Sequence, residues 1–120
     1  MAKVLLAEDD QTMVGLLTTL LRMDGFEVQA LDPDADVAAA VQQQHPEVLV
    51  LDVHLSRQNG LEVLETIRKA DREHRVRIVM ISGLNVKEEA LKRGADDFLL
   101  KPFMPDDLMK LMRKNSRTRE

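Results

Sequence analysis

The stretch Val48-Leu49-Val50-Leu51-Asp52 joins four apolar residues directly to a carboxylate. An apolar run of this length is too short for a helix and is typical of a strand that is buried on both faces. Such strands occur in parallel sheets that helices cover from either side. The stretch therefore predicts an α/β fold with a central parallel sheet, and it places Asp52 at the end of a buried strand.

Four other segments of the chain also have strand patterns. Residues 3–7, 76–81 and 98–100 are apolar runs rich in Val, Ile or Leu, and we interpret each as a buried strand. Residues 26–31 instead alternate apolar and polar side chains. Alternation is typical of a strand with one less covered face, so we expect this segment at an edge of the sheet.

Helical patterns separate the strand segments. The clearest is an apolar stripe at helical spacing that ends before Gly25 and consists of Met13, Leu16, Leu17, Leu20 and Leu21. Weaker patterns lie at residues 37–41, 61–67, 86–91 and 108–112. Strand and helix thus alternate five times, which favours an open parallel sheet with right-handed crossovers and helices on both faces.

The composition fits one domain of 120 residues, with 44% hydrophobic and 32% charged residues. The chain has no cysteine, which excludes disulfides, thiolate metal sites and cysteine nucleophiles. Aromatic residues make up 2%, which disfavours stacking sites for flavins or single-stranded nucleic acid. The sequence has no signal-peptide pattern and no apolar run long enough for a membrane span, so we expect a cytoplasmic protein.

The charge is distributed unevenly along the chain. Lys+Arg total 17 against 21 Asp+Glu, a net charge of −4, yet residues 110–120 hold five cations against Glu120, a local charge of +4. We interpret the basic end as a solvated helix terminus, where cations favour the negative pole of the helix dipole, and we do not expect direct nucleic-acid binding. We expect a folded domain over residues 1–114 and a tail or the start of a linker over residues 115–120.

Polar side chains follow most of the predicted strands. Glu8 and Asp9 follow the first strand, and Asp52 follows the third. Ser82 follows the fourth strand and Lys101 the fifth. In open α/β sheets, functional groups gather at the carboxyl ends of the strands. Gathered carboxylates repel one another unless a cation lies among them, and an all-oxygen ligand set favours Mg²⁺ over zinc or calcium.

Each of these residues alone has an ordinary structural explanation. Asp9 or the adjacent Asp10 would serve as a helix cap. Many strands end in serine, so Ser82 alone is weak evidence. Asp52 is harder to explain in this way, because apolar residues flank it on both sides and an unpaired carboxylate there costs free energy. The combination of these side chains at successive strand ends is what indicates a functional site.

The motifs at these strand ends resemble those of the receiver domains of two-component response regulators, the CheY-like family. The resemblance covers nearly the whole chain and rests on four motifs in order: Val-Leu-Leu-Ala-Glu8-Asp9-Asp10, Leu-Asp52-Val-His-Leu-Ser-Arg-Gln-Asn59-Gly60, Ile-Ser82-Gly83 and Gly94-Ala-Asp-Asp-Phe98-Leu-Leu-Lys101-Pro102-Phe103. It implies a flavodoxin-like, doubly wound sheet of five parallel strands in the order 2-1-3-4-5 with five flanking helices.

The resemblance also implies what the strand-end carboxylates do. Asp52 is the expected phosphoacceptor, which takes a phosphoryl group from a histidine kinase or a histidine phosphotransfer protein. Mg²⁺ is expected on Asp52 together with Glu8, Asp9 and the backbone carbonyl of His54. A receiver is not an enzyme with a separate substrate, since it catalyses only its own phosphorylation and dephosphorylation, here at Asp52.

Three more side chains complete the site that the resemblance implies. Ser82 would hydrogen-bond the phosphoryl group, and Lys101 would pair with it. Phe98 is the expected switch aromatic, which turns inward when Ser82 moves toward phosphorylated Asp52. The phosphoryl group adds nearly two negative charges, and a local charge of that size biases a two-state element. A homodimer through the fourth helix, fifth strand and fifth helix is a further expectation.

The sequence departs from the family pattern around this site. Ser56 stands where the family usually has proline, so we expect a less rigid phosphoacceptor loop. Residues 82–94 are about one helical turn shorter than is typical, so we expect a short fourth helix over residues 86–93. His54 and Leu84 occupy the two positions that tune loss of the phosphoryl group. Because Leu84 offers water no hydrogen-bond partner, we expect a moderately long-lived phosphorylated form.

Alternatives to the phosphorylated receiver remain. A dehalogenase-type phosphatase also forms an aspartyl phosphate, but it needs a second carboxylate where this chain has His54 and a cap domain that 120 residues cannot hold. A nucleotide-binding fold needs a glycine-rich phosphate loop where this chain has Glu8-Asp9-Asp10. A degenerate receiver would act as a phosphorylation-independent binding module. The presence of Asp9, Asp52, Ser82 and Lys101 argues against it. The sequence leaves the output partner unknown.

Overall fold

The computed structural model describes residues 2–116 and builds them into five strands and five helices that alternate along the chain. The strands are β1 Lys3–Ala7, β2 Glu27–Ala30, β3 Val48–Asp52, β4 Arg77–Ser82 and β5 Asp97–Leu100. The helices are α1 Gln11–Met23, α2 Val37–Gln44, α3 Gly60–Ala70, α4 Lys87–Lys92 and α5 Pro105–Ser116. Each predicted strand is confirmed, with both ends within one residue of the expected position.

The strands form one sheet in the order β2-β1-β3-β4-β5, and every neighbouring pair is parallel. This confirms the flavodoxin-like topology and places β2 at an edge, where Val28 is its buried residue. Because parallel strands end at the same edge of a sheet, Asp52 at the end of β3 and Ser82 at the end of β4 lie on neighbouring strands at the carboxyl edge.

The alternating side chains of β3 show how the sheet is covered on both faces. Leu49 and Leu51 pack into an apolar cluster with residues of α2, α3 and α4. Val48 and Val50 point the other way and pack with residues of α1 and α5. All four side chains are fully buried. Two apolar layers of this kind fix the sheet between the helices, and they leave its carboxyl edge free to present polar groups.

Helix α1 buries a narrower face than its apolar stripe predicts. Leu17 and Leu21 are buried, but Leu16 is 51% exposed, so the prediction that Leu16 belongs to the buried face is wrong. Leu17 and Leu21 are four residues apart and form one row of side chains that packs on the sheet. Leu16 lies beside this row and faces solvent.

Polar residues set the helix starts near the site. Asp10 caps α1, since its Oδ1 accepts hydrogen bonds from the backbone N–H groups of Thr12 and Met13. Asn59 caps α3 in the same way by accepting from Leu61 N–H. The sequence predicts that the carboxylates after β1 either cap a helix or form a functional site. Asp10 is the one that caps the helix.

The helices are short, and α4 is the shortest of those described. It has six residues, Lys87–Lys92, and no side-chain hydrogen bond caps its start at Val86. This confirms the expected short fourth helix. None of the helices described over residues 2–116 has the length and apolar character that a membrane crossing requires.

Helix α5 extends past the predicted end of the domain. Asn115 is buried, and its side-chain amide donates to the Asp97 carboxylate at 2.9 Å and to the Leu111 carbonyl at 2.7 Å. The assignment of Asn115 to a tail is therefore wrong, because both amide protons have acceptors within the folded unit. The rest of the expected tail, residues 117–120, lies outside the described residues.

A network of charged groups closes the opposite, amino edge of the sheet. Arg68 of α3 lies between the carboxylates of Asp71 at 3.1 Å and Asp96 at 2.8 Å. The same guanidinium donates to the backbone carbonyls of Gly94 at 2.8 Å and Val76 at 2.7 Å. One buried cation thus ties α3 to the loops that enter β4 and β5.

Asp96 is the most fully bonded acid of this network. Besides Arg68, it contacts Nε2 of His74 at 2.9 Å and Nη1 of Arg77 at 3.3 Å, and it accepts from Ile78 N–H at 2.8 Å. Burial acts to raise the pKa of Asp96, but the His74 and Ile78 hydrogen bonds and the Arg68 charge outweigh it and hold the pKa below its ordinary value. His74 lies in the loop between α3 and β4, and its contact with Asp96 gives it a structural role.

Candidate functional site

The structure brings the predicted strand-end residues together at the carboxyl edge of the sheet. Glu8 directly follows β1, Asp52 ends β3, and Ser82 ends β4. These three polar side chains are buried, with exposed fractions of 2%, 3% and 0%. Lys101 directly follows β5 and reaches the same place. Three buried polar side chains and a partly buried lysine thus meet at the ends of four strands. Within the described part of the chain, the two acidic groups among them and Asp9 have only one cation nearby, that of Lys101.

Three carboxylates form the acidic part of the site. One oxygen each of Glu8, Asp9 and Asp52 lies within 4.8 Å of the other two. Asp9 is partly exposed, whereas the other two are buried. Like charges this close destabilise one another unless a cation lies between them. The geometry is therefore the one that the sequence predicted for a divalent cation with oxygen ligands.

Lys101 provides the cationic part of the site. Its Nζ lies 2.7 Å from Oε1 of Glu8 and 3.0 Å from Oδ2 of Asp52. Its backbone N–H donates to the Ser82 carbonyl at 2.7 Å, which fixes the start of the side chain beside β4. The peptide bond between Lys101 and Pro102 is cis.

Backbone amides hold the remaining carboxylate oxygens. Oδ1 of Asp52 accepts from His54 N–H at 3.0 Å, and Oε2 of Glu8 accepts from Asp10 N–H at 3.0 Å. Each buried acid thus places one oxygen on Lys101 and the other on a backbone amide. Groups held in this way are preorganised, because no side chain needs to rotate before chemistry begins.

The pKa values reflect this crowding. Burial raises the pKa of Glu8, and the neighbouring Asp52 raises it further, against the opposing effect of Lys101. Burial acts to lower the pKa of Lys101, but its hydrogen bonds to Glu8 and Asp52 and their charges raise it overall. The ammonium is thus held in its charged form next to Asp52.

The loop after Asp52 packs tightly against the strand that precedes it. Gly60 N–H donates to the Val53 carbonyl at 2.6 Å, and His54 pairs with Asn59 in an antiparallel bridge. A Cβ on Gly60 would lie 2.3 Å from the Asp52 carbonyl oxygen, which no side chain tolerates. The Asn59-Gly60 pair was visible in the motif, but this close approach was not predicted.

Ser82 and Leu84 form the side of the site next to β4. The Ser82 hydroxyl oxygen accepts from Leu84 N–H at 3.0 Å. The Leu84 side chain is 60% exposed, and His54 is exposed as well. The two predicted tuning residues are therefore both accessible to solvent, and their role stays a prediction.

Phe98, the predicted switch aromatic, lies on β5 opposite Met80 of β4. It is half-buried and packs against the apolar cluster that contains Met80 and Ala90. It also borders an open groove of about 500 Å³ that Leu91 and Leu111 line. The position is compatible with movement, and the switching role stays a prediction.

One contact of the loop between Asp52 and α3 was missed by sequence reasoning. The side-chain amide of Gln58 donates to the Ala35 carbonyl at 2.8 Å, across 23 sequence positions. Gln58 lay within the quoted motif but had no assigned role. A hydrogen bond to a backbone carbonyl can be made by many side chains, so no residue pattern could have indicated it.

A family comparison covers nearly the whole chain. The profile of the family described as "Response regulator receiver domain" matches residues 4–113. That span runs from β1 into α5 and includes every predicted site residue.

Curated relatives match the same span. The "DNA-binding response regulator MtrA" of Mycolicibacterium smegmatis is 30% identical over 121 residues, which cover 98% of this chain and 52% of MtrA. The "Transcriptional regulatory protein CpxR" of Klebsiella pneumoniae is 33% identical over 116 residues, which cover 94% of this chain and 48% of CpxR. The chain therefore spans about half the length of these curated relatives.

Solved structures of receiver domains have the same fold. The receiver domain of the Francisella response regulator 1452 matches with a TM-score of 0.90 at 25% identity and covers 100% of both chains. The receiver domain of NtrX from Brucella abortus matches with a TM-score of 0.83 at 30% identity and covers 96% of this chain and 98% of that one. Fold, strand-end motifs and family match agree, and the chain belongs to the response regulator receiver domain family.

Proposed function

We propose that this domain accepts a phosphoryl group on Asp52 from a phosphohistidine of a histidine kinase or histidine phosphotransfer protein, and thereby changes its surface toward a partner. The observation that carries the proposal is the burial of the Asp52 carboxylate and the contacts that hold it. Its carboxylate is buried and held between the Lys101 ammonium and the His54 N–H, beside two further carboxylates. A carboxylate fixed in this way is already positioned to attack a phosphodonor.

The transfer step requires positioning rather than a protein acid or base. An Asp52 oxygen forms the new P–O bond while the P–N bond of phosphohistidine breaks, and the donor imidazole keeps the electron pair and takes up a proton. Charge spreads over the phosphoryl oxygens in a loose transition state, so nearby cations and donors provide most of the catalysis. Lys101 is placed for this role. The Ser82 hydroxyl accepts from Leu84 N–H, which leaves its own proton to donate.

The residues at the site fit Mg²⁺. Glu8, Asp9 and Asp52 cluster together and Lys101 contacts the first and the last, so the negative charges exceed the one positive charge by two when all four groups are ionised. We propose that Glu8, Asp9, Asp52 and the backbone carbonyl of His54 hold the ion. When bound, it would neutralise charge on the phosphoryl oxygens. Protein oxygens on a few sides and water on the others suit its octahedral preference.

The same geometry supports a switch between two states. Ser82 would give up its bond with Leu84 N–H and move toward phosphorylated Asp52. Phe98, half-buried beside an open groove, would then turn inward. The groove lies between α4 and α5, so this movement would alter the face formed by α4, β5 and α5, through which we propose that a homodimer forms.

The exposed side chains near the site support a moderately long-lived phosphorylated form. Leu84 is apolar, so its exposed side chain offers water no hydrogen-bond partner that would orient it for attack. We expect a half-life of minutes or longer, which can be followed by mass spectrometry after removal of the phosphodonor. Loss of the phosphoryl group within seconds would contradict this expectation.

The relatives suggest the setting in which the domain acts. MtrA and CpxR are described as DNA-binding and transcriptional regulators, and this chain spans about half of each. We propose a cytoplasmic signalling role in which the domain controls an output partner and does not itself contact nucleic acid. We also propose that its catalysis is limited to its own phosphorylation and dephosphorylation.

The experiment that tests the proposal is incubation with phosphoramidate and Mg²⁺ followed by intact-mass measurement. The proposal expects a gain of one phosphoryl group in the wild-type protein and none in Asp52→Asn. No gain in the wild type would favour a phosphorylation-independent binding module. Steady release of phosphate from ester substrates would instead favour a hydrolase.

A further inference from the structure

We infer that Gln58 is a positioning residue of the proposed phosphorylation site. Its side-chain amide, bound to the Ala35 carbonyl, holds the loop that presents the His54 carbonyl to Mg²⁺. This role rests on the proposed function. It adds a residue that controls the affinity for Mg²⁺ without itself binding the ion. The inference starts from a contact between two loops that the family motifs do not describe.

The loop between Asp52 and α3 is anchored unevenly. Its two ends are joined by the bridge between His54 and Asn59 and by the bond from Gly60 N–H to the Val53 carbonyl. Its middle, residues 55–58, extends away from that bridge. Leu55 anchors one side of the middle by packing into the apolar cluster under α2 and α3.

The other side of the middle depends on Gln58. Ser56 and Arg57 are exposed, whereas Gln58 is half-buried with its amide 2.8 Å from the Ala35 carbonyl. Ser56 places no ring restraint on the backbone, so contacts with the rest of the fold must restrict the loop. The hydrogen bond of Gln58 thus restrains a part of the loop that Ser56 and Arg57 leave unrestrained.

The acceptor of this bond is itself fixed. Ala35 lies in the loop between β2 and α2, where its N–H donates to the Asp32 carbonyl at 2.9 Å. Asp32 Oδ1 also accepts from Asp34 N–H at 2.9 Å, and Asp36 caps α2 by accepting from Ala39 N–H. Aspartate side chains that accept from nearby backbone N–H groups stabilise a local turn. Gln58 therefore ties the phosphoacceptor loop to a loop that has its own hydrogen bonds.

The proposed metal site is where this restraint should be measurable. His54 directly precedes the anchored middle of the loop, and its carbonyl is the backbone ligand proposed for Mg²⁺. Mg²⁺ requires near-ideal octahedral geometry, so a ligand that samples several positions binds it less well. Loss of the Gln58 bond should weaken Mg²⁺ binding while leaving Asp52, Lys101 and Ser82 in place.

A second contact between the same two loops provides a matched control. Arg57 pairs with Asp34 at 3.4 Å, but these side chains are 77% and 62% exposed. Exposed ion pairs contribute little to order. Arg57→Ala therefore removes a neighbouring link of the same span without removing the half-buried restraint.

The test uses Gln58→Met, which keeps the length of the side chain and removes the donor, and Gln58→Glu as a second donor-free variant. Calorimetry and the ¹⁵N shift of the His54 amide measure Mg²⁺ affinity. We expect a Kd about threefold to tenfold weaker than that of the wild type, the range of one neutral hydrogen bond. Phosphorylation rates at saturating Mg²⁺ should stay near the wild-type value, and Arg57→Ala should change Kd less than about twofold.

The outcomes separate this inference from a structural role and from the proposed function. An unchanged Mg²⁺ Kd in both Gln58 variants overturns the inference, even if their free energy of unfolding falls. A lower rate at saturating Mg²⁺ with an unchanged Kd overturns it too. A wild type that binds Mg²⁺ but takes up no phosphoryl group contradicts the proposed function, and the Kd comparison still decides the inference. A wild type that binds no Mg²⁺ overturns both.

Discussion

The two edges of the sheet hold buried charge in opposite ways. At the carboxyl edge, three carboxylates cluster together, and the ammonium of Lys101 contacts two of them. At the amino edge, Arg68 lies between Asp71 and Asp96 and also binds two backbone carbonyls. Charge is in excess at the first edge and satisfied at the second. Burial of ionisable groups alone therefore does not mark a functional site, whereas uncompensated burial does.

Removal of Arg68 should have the largest effect on stability. Arg68→Met would leave Asp71 and Asp96 without their shared cation and would remove the donor to the carbonyls of Gly94 and Val76. We expect the free energy of unfolding to fall by about 3 kcal/mol. Urea unfolding followed by circular dichroism measures the loss.

Arg77→Ala provides the control at the same edge. Its side chain is 36% exposed and contacts Asp96 at 3.3 Å, so we expect a loss below about 1 kcal/mol. If the two substitutions cost the same, Arg68 is not the organising cation of the amino edge.

One chemical change, aspartate to asparagine, should have opposite signs at the two edges. Asp96→Asn removes the charge that Arg68 requires, and we expect it to lower the free energy of unfolding by about 2 kcal/mol. Asp52→Asn relieves repulsion among three carboxylates, and we expect it to raise that free energy by about 1 kcal/mol in metal-free buffer. Parallel urea titrations with a chelator present measure both changes.

The comparison fails if both variants shift stability in the same direction. In that case the excess charge at the carboxyl edge would already be neutralised in the metal-free protein. The contrast between the two edges would then disappear.

Addition of Mg²⁺ should stabilise the carboxyl edge. A ligand that binds the folded state at ten times its Kd raises the free energy of unfolding by about 1.4 kcal/mol. We expect this gain in the wild type and in Arg77→Ala, and its loss in Asp9→Asn, because Asp9 belongs to the acidic cluster and not to the amino edge. Thermal shift with and without Mg²⁺ provides the measurement. An equal shift in Asp9→Asn would place the ion elsewhere.

The smallest expected effect is a pH dependence at the amino edge. The pKa of Asp96 is held below its ordinary value of 3.8. The ionised carboxylate is therefore more stable in the folded state than in the unfolded chain. Its contribution is fully present above 3.8 and is lost as the pH falls through the lowered folded-state pKa. The stability gap between wild type and Asp96→Asn should therefore narrow in strong acid. A gap that is constant with pH would show that Asp96 acts through shape alone.

Sequence reasoning found the fold and the carboxyl edge because both depend on local order along the chain. Apolar runs mark strands, and the residue after each run falls at a predictable edge of a parallel sheet. Asp52, Ser82 and Lys101 could thus be placed together without coordinates. The exposure of Leu16 was missed because a periodic pattern does not say how wide the buried face of a helix is.

The contacts that sequence reasoning missed join parts of the chain that are distant in sequence, some by contacts to side chains and some by contacts to backbone carbonyls. Arg68 contacts Asp96 across 28 positions, and Gln58 contacts Ala35 across 23. An arginine late in a helix and a glutamine in a loop are both common on solvated surfaces, and their acceptors are partly carbonyl groups that every residue carries. Asn115 was placed in a tail for the same reason. These contacts depend on tertiary packing, which no local pattern encodes.

The close approach of Gly60 to the backbone of Asp52 limits how this domain can be re-engineered. A mutant library aimed at the lifetime of the proposed phosphorylated form can vary the solvent-facing side chains at positions 54 and 84. Position 60 admits no substitution, since the Cβ of alanine would lie 2.3 Å from the Asp52 carbonyl oxygen and would displace the Asp52 backbone. Directed evolution of this receiver would therefore retain Gly60 while the exposed positions around it change.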